Sequence, residues 1–215
     1  MVWNDASTDE THFQLEKYSD NPLVQIHHND VNMGALYGRW MFVQNTDCDV
    51  VCFVGLDDRI TNDCIETISY VYSNSEIKMS YGNWMNEHGT INHVKPYPRD
   101  VWENRSFRRS SWRATALNTF KTELLRMVPR DVLLDDNGLF FTNCTDLAYS
   151  FPALEMIRPH ECAVVSKPLY IYNQFHSNTT LSRLGKENKT RIREKLKRIP
   201  KMQTKQHPIE WKQQF

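Results

Sequence analysis

Asp57 and Asp58 follow an unbroken apolar run, Val50 to Val54, and the pair Gly55-Leu56. Two acids at the tip of a hidden strand suit a divalent cation. Magnesium takes one or two carboxylates, several waters and the oxygens of a substrate phosphate. In open α/β sheets ligands collect beyond the carboxyl ends of the strands, where this pair would project. The same acids also suit the cap of a helix that Thr61-Asn62-Asp63 begins. A third acid, Asp146, opens a stretch with Leu147, Phe151 and Leu154 on one face, where a carboxylate caps the helix and meets its dipole favourably. His27 and His28 are adjacent, and neighbours in sequence rarely aim at one ion, so they read as a polar loop.

The elements that must position these groups follow from periodicity. Val50–Val54 is rich in β-branched and aromatic residues and predicts a strand covered on both faces. Ser7 and Glu10 stand in capping-box spacing and predict a helix from about Thr8. Leu23–Ile26 reads as a short strand. Asn32-Met-Gly34 reads as a glycine turn before a helix through Val43, with Gly34 and Gly38 allowing close backbone approach. A helix is expected over Asp63–Ser73, a strand over Ile77–Trp84, a helix over Thr115–Val128 and a late strand over Val164–Asn173. Between Lys95 and Arg113 lie two prolines, two tryptophans and five arginines, a loop-like connection. An arginine from Arg105–Arg113 that faced a diphosphate would form charge-assisted, often bidentate bonds.

Three segments in order resemble glycosyltransferase family 2 of the GT-A fold. Val2-Trp-Asn4-Asp5-Ala-Ser-Thr-Asp9-Glu-Thr11 is similar to the family's "V-D-D-G-S-T-D-E-T" turn, Asn32-Met-Gly34 to its "N-x-G" segment, and Val51-Cys-Phe-Val-Gly55-Leu-Asp57-Asp58 to its "D-x-D" site. The resemblance covers roughly residues 1 to 175. It implies an α/β fold with a mostly parallel central sheet flanked by helices. It also implies a first strand and helix ahead of the acidic turn, which this sequence does not show. Residues 1–180 form the expected transferase domain and 181–215 a basic helical tail. The resemblance implies metal-dependent, inverting transfer of a sugar from a UDP- or GDP-sugar donor to a glycan or other hydroxyl acceptor. Asp57 and Asp58, with His176, are the metal ligands so implied, for Mn2+ or Mg2+. Asn4, Asp5, Asp9, Gly34 and Arg39 are the implied donor contacts, and Asp146 the implied base. Asn83 and Trp84 are candidate donor or acceptor contacts at the sheet edge, with buried packing the favoured use of Trp84.

Gly55 stands where the family has its first metal-site acid, and Asn4 where it has the first acid of the turn. Both departures favour an alternative reading, a non-catalytic module that keeps a sugar or nucleotide pocket. Composition narrows the remaining classes. Hydrophobic residues make up 40% and charged residues 24%, with a formal net charge of zero, which gives no global attraction to nucleic acid. No apolar run approaches the roughly 20 residues of a membrane helix. The first residues lack the basic-then-apolar profile of a signal peptide. Five cysteines without a C-x-x-C pair read as reduced thiols of a cytoplasmic protein and not as a zinc site. The tail from Arg183 to Lys205 carries ten Lys and Arg against two Glu, with Ile192, Leu196 and Ile199 as an apolar stripe. It suits docking on the domain, or peripheral contact with an anionic membrane.

Overall fold

The computed structural model describes residues 1–173 and 183–202. Its strands are β1 (Val2–Asn4), β2 (Ile26–His28), β3 (Val50–Cys52), β4 (Arg59–Ile60), β5 (Met79–Asn86), β6 (Ile91–Asn92), β7 (Thr119–Lys121) and β8 (Cys162–Tyr172). Its helices are α1 (Thr11–Glu16), α2 (Ala35–Asn45), α3 (Cys64–Ser73), α4 (Arg99–Glu103), α5 (Thr122–Arg126), α6 (Thr145–Met156) and α7 (Arg183–Arg198). No described helix is long and apolar enough to cross a membrane.

The main sheet has the order β3-β7-β5-β8-β4, with β6 paired to β5. Its centre is the parallel pair β5–β8, whose register shifts between Gly82 and Trp84. Gly82 is needed there, because a Cβ would lie 2.6 Å from the Val165 carbonyl oxygen. The strands alternate in direction more than a mostly parallel sheet would. β7 is antiparallel to both β3 and β5, so β3, β5 and β8 share one direction while β7, β6 and β4 oppose it. β1 and β2 form a separate parallel pair.

Two expected elements change character. Val50–Val54 becomes a three-residue edge strand: Val51 is buried, but Cys52 and Val54 reach solvent. The apolar run is covered on one side only, because β3 has a single neighbour. Thr115–Val128 splits into β7 and the short α5, because Thr119 and Phe120 pair between β3 and β5. Helical spacing of Leu117, Phe120, Leu124 and Leu125 therefore conceals a strand: Leu117 packs in a small cluster with Cys64 and Tyr170, the others in the main core. The helix expected from Thr8 begins at Thr11 instead, where Asp9 accepts from the Thr11 backbone N–H and hydroxyl. His27 and His28 lie on β2 and not in a loop.

The main core gathers Tyr81, Phe107, Phe120, Phe141 and Leu154 around the sheet. α7 joins it through Ile192 and Leu196, so its apolar stripe faces the protein. A buried ion pair holds this docking. Arg108 places Nε 2.6 Å and Nη2 2.9 Å from the two carboxylate oxygens of Glu155, and donates from Nη1 to the Leu196 carbonyl at 2.8 Å. Glu155 also accepts from the Met202 backbone N–H at 3.0 Å. Arg105 donates to the carbonyls of Glu155 and Ile157, and Arg113 to that of Pro96. Arg108 is thus engaged in the core, while Arg105 and Arg113 give Nη1 to backbone carbonyls.

Removing one partner of a buried pair leaves the other charge stranded, at a cost of about 3–5 kcal/mol. Arg108→Met should lower unfolding free energy by about that amount in urea titration. The double variant Arg108→Met/Glu155→Leu should recover much of the loss. Equal losses for single and double variants would mean that the pair does not carry the docking of α7.

Candidate active site

The site lies between two unpaired strand edges. Among the described residues β1 pairs only with β2 and β3 only with β7, and the edges left unpaired there line one groove of about 490 Å³. Val2, Trp3, Asp5, Gly34, Arg39 and Gly55 are among its walls. α2 forms the floor because Gly38 lets Trp3 approach: a Cβ there would meet the indole at 3.0 Å. The indole in turn stacks on His27, with ring centroids 4.6 Å apart.

At one end of the groove the chain leaves β3 through a turn closed by Asp58 N–H on the Gly55 carbonyl, 3.1 Å. The turn brings both acids back over Gly55. A Cβ at Gly55 would lie 2.7 Å from Asp57 Oδ1 and 2.9 Å from Asp58 Oδ2. The missing side chain is what lets the two carboxylates converge. Asp57 is exposed and has no protein partner among the described residues. Asp58 is oriented from β8: Tyr170 donates its hydroxyl to Oδ2, and the Asn173 backbone N–H donates to Oδ1 at 2.8 Å. Tyr170 also accepts from the Gly55 N–H at 3.3 Å. Burial pushes the Tyr170 phenol up, and its bond to Asp58 pushes it further, so the phenol keeps the proton it donates.

This donor set fits a hard divalent cation. Two oxygen ligands converge over an open space, leaving other positions for water and phosphate. Among the described residues no group of three or more His, Cys, Asp or Glu side chains could enclose an ion alone. His176, expected as a further ligand, lies outside the described residues.

The expected donor contacts divide into two groups. Asn4 and Asp5 build the turn. Asn4 is buried, accepts from the Ser7 N–H at 3.0 Å and shares a hydrogen with His28 Nδ1 at 3.1 Å. Asp5 accepts from the backbone N–H groups of Met33 and Gly34 at 2.8 and 2.7 Å, and from Asn29 at 2.7 Å. It thereby ties β1 to the start of α2, where Gly34 adopts φ +85°. Asp9 stands apart, on a recess shared with Leu15 and Leu56. Asn83 is buried and bonded to Ser166 O and Val94 N, and Trp84 packs against Tyr172, so neither sits free at the sheet edge.

Arg39 connects the groove to Asp146. From α2 its Nη1 donates to Thr145 Oγ1 at 2.7 Å and to the Tyr149 hydroxyl at 3.1 Å, both on α6. Its guanidinium lies over the rings of Phe53 and Tyr149. Thr145 is the first residue of α6 and Asp146 the second. Asp146 keeps some surface open, yet the crowding around its carboxyl is close to complete. That desolvation raises its pKa, against the opposing pull of the Arg39 charge, the Leu147 N–H and the Lys189 charge. The same Arg39 charge reaches Tyr170, the partner of Asp58. One guanidinium thus stands within electrostatic reach of both ends of the site.

The model for "Glycosyl transferase family 2" matches residues 1–135. The chain belongs to glycosyltransferase family 2. No curated protein matches it. Solved structures similar in fold include S. aureus TarS 1-349 in complex with UDP, at 17% identity and TM-score 0.57, over 80% of this chain and 50% of that one. The same TarS region in complex with UDP-GlcNAc aligns at TM-score 0.55 and 17% identity over 84% and 51%. Glucosyl-3-phosphoglycerate synthase from Mycobacterium tuberculosis, in complex with Mn2+ and UDP-glucose, aligns at TM-score 0.56 and 14% identity over 89% and 64%. The chain spans about half the length of the TarS structure and under two thirds of the synthase. At such identities the likeness speaks for the fold.

For this family 2 chain, sequence reasoning missed Tyr170, Asn173, Thr145 and Tyr149. All four act through contacts more than a hundred residues away from their partners, on Asp58 or Arg39, and no local spacing signals such pairs.

Because the folded chain holds the Asp146 carboxyl above its unfolded value, the charged form costs stability. That cost is absent below the unfolded aspartate range, about pH 3.9, and accrues as pH rises through the higher folded value. Asp146→Asn is therefore expected to raise Tm at neutral pH and to leave it little changed in acid. An equal or lower Tm at neutral pH would show that the carboxylate is not desolvated.

Proposed function

We propose that this chain transfers a glycosyl group from a uridine diphosphate sugar to a hydroxyl acceptor with inversion. The observation that carries the reading is the convergence of Asp57 and Asp58 over Gly55, which lines the same groove as Arg39. The fold neighbours are complexes with UDP, UDP-GlcNAc and UDP-glucose, with Mn2+ in one case. Asp57 and Asp58 would hold Mn2+ or Mg2+, which supplies positive charge to a leaving diphosphate.

The protein's own groups do the rest. Arg39 and the Gly34 turn orient the donor along the groove. Asp146 accepts the proton of the acceptor hydroxyl as that oxygen bonds to the anomeric carbon. The bond from that carbon to the diphosphate oxygen breaks on the opposite face, and the nucleoside diphosphate leaves with the electron pair. A raised pKa suits Asp146 to this task, because a base works best with a proton affinity near the operating pH. Tyr170 keeps Asp58 aimed over Gly55 throughout.

A second reading, a binding module without turnover, draws on one observation. Gly55 replaces the acid expected at the head of the metal site, and both oxygens of Asp58 already accept protein hydrogen bonds.

The test measures UDP release from UDP-sugars with Mn2+, and UDP binding by calorimetry with and without the ion. Asp57→Ala should abolish metal-stimulated release and weaken metal-dependent binding. Asp146→Asn should lower kcat by about 10²–10⁴-fold, the usual contribution of a general base, with binding retained. Metal-stimulated binding with no release in any pairing of donor and acceptor would establish the module instead. Unchanged release by Asp57→Ala would reject both.

A further inference from the structure

The Arg39 guanidinium is divided between two tasks. Its Nη1 serves α6, through Thr145 Oγ1 and the Tyr149 hydroxyl. A guanidinium has five N–H donors in a planar fork. The two bonds from Nη1 leave the Nε–Nη2 side, which has no hydrogen-bond partner among the described residues, while the residue lines the groove. Two parallel N–H groups are the arrangement that grips a phosphate in bidentate fashion. Stacking on Phe53 and Tyr149 keeps the plane in place.

The charged and titratable groups around Asp146 are few. The charges of Arg39 on α2 and Lys189 on α7 act on it, while Tyr149 lies on α6 and Cys144 at its cap. Tyr149 and Cys144 are both pushed up by burial and stay neutral. Arg39 is thus the stronger of the two cations that favour the charged carboxylate.

We propose that Arg39 is a positioning residue that couples donor occupancy to the basicity of Asp146. This rests on the transfer reading above. The free side of the fork takes the donor diphosphate while Nη1 keeps its hold on α6. The diphosphate then neutralises the cation that Asp146 otherwise leans on, and the proton affinity of Asp146 rises. The base is stronger with a donor in place than in the empty groove. No movement of α6 is required. Linkage makes the effect reciprocal, so a protonated Asp146 binds the donor more tightly than an ionised one.

The experiment is a carboxyl-carbon NMR titration of the full chain in the presence of Mg2+ throughout, with and without saturating UDP-glucose, whose diphosphate does not itself titrate over the aspartate range. Asp146→Asn identifies the signal by its loss. In the unaltered chain the Asp146 midpoint should move upward when UDP-glucose is added. In Arg39→Gln it should already lie higher, and UDP-glucose should not move it further. Lys189→Gln should raise the starting midpoint while preserving the donor-induced displacement. UDP-glucose binding, seen in the same samples, without displacement in the unaltered chain would overturn the coupling and leave the transfer reading intact. Displacement that persists in Arg39→Gln would overturn the role of Arg39. Absence of UDP-glucose binding would overturn both the coupling and the transfer reading.

Discussion

The close pairing of β5 with β8 is the constraint from which the site follows. These strands meet so tightly at Gly82 that any side chain there would strike the Val165 carbonyl. Their register then carries Tyr170 opposite Trp84 and ends at Tyr172 beside Asn86. That placement lets Tyr170 and Asn173 reach across to Asp58, on a turn from a different part of the sheet. Asp58 is thus aimed by a strand about 110 residues downstream, and shifting that strand by one residue would turn Tyr170 to the other face.

Electrostatics in the groove are organised by one cation from α2. Arg39 holds the first turn of α6 through neutral hydroxyls, and its charge offsets the desolvation of Asp146. A carboxyl in so crowded a place would ionise less readily without it. The other large arginine cluster does unrelated work. Arg108 meets Glu155 in the core and draws in the end of α7, so the basic tail is tied to the far end of the helix that Asp146 begins.

The two free edges leave the groove unusual in its walls. β1 and β3 each present a row of backbone groups that no described strand pairs, and Val54 and Cys52 add exposed apolar surface beside them. Sheet edges of this kind are sites of association unless covered. Desolvation in this recess also pushes the Cys52 thiol up, although the residue reaches solvent.

Much of this was legible in the order of residues alone. The acid pair after an apolar run, the glycine turn before α2, the acid opening α6 and the late strand near Tyr172 all announce themselves by local spacing. The reason is that turns, caps and helical faces depend on neighbours within a few residues. Strand direction, the conversion of Thr119–Lys121 from expected helix to strand, and the edge position of β3 depended on which distant segment lay alongside. So did the bonds of Arg105 and Arg113 to backbone carbonyls and of Arg108 to Glu155. Sequence by itself determined which residues could do chemistry. Only tertiary structure decided which of them remain free to do it, because a hydrogen bond or charge partner is a property of proximity in space, not of order along the chain.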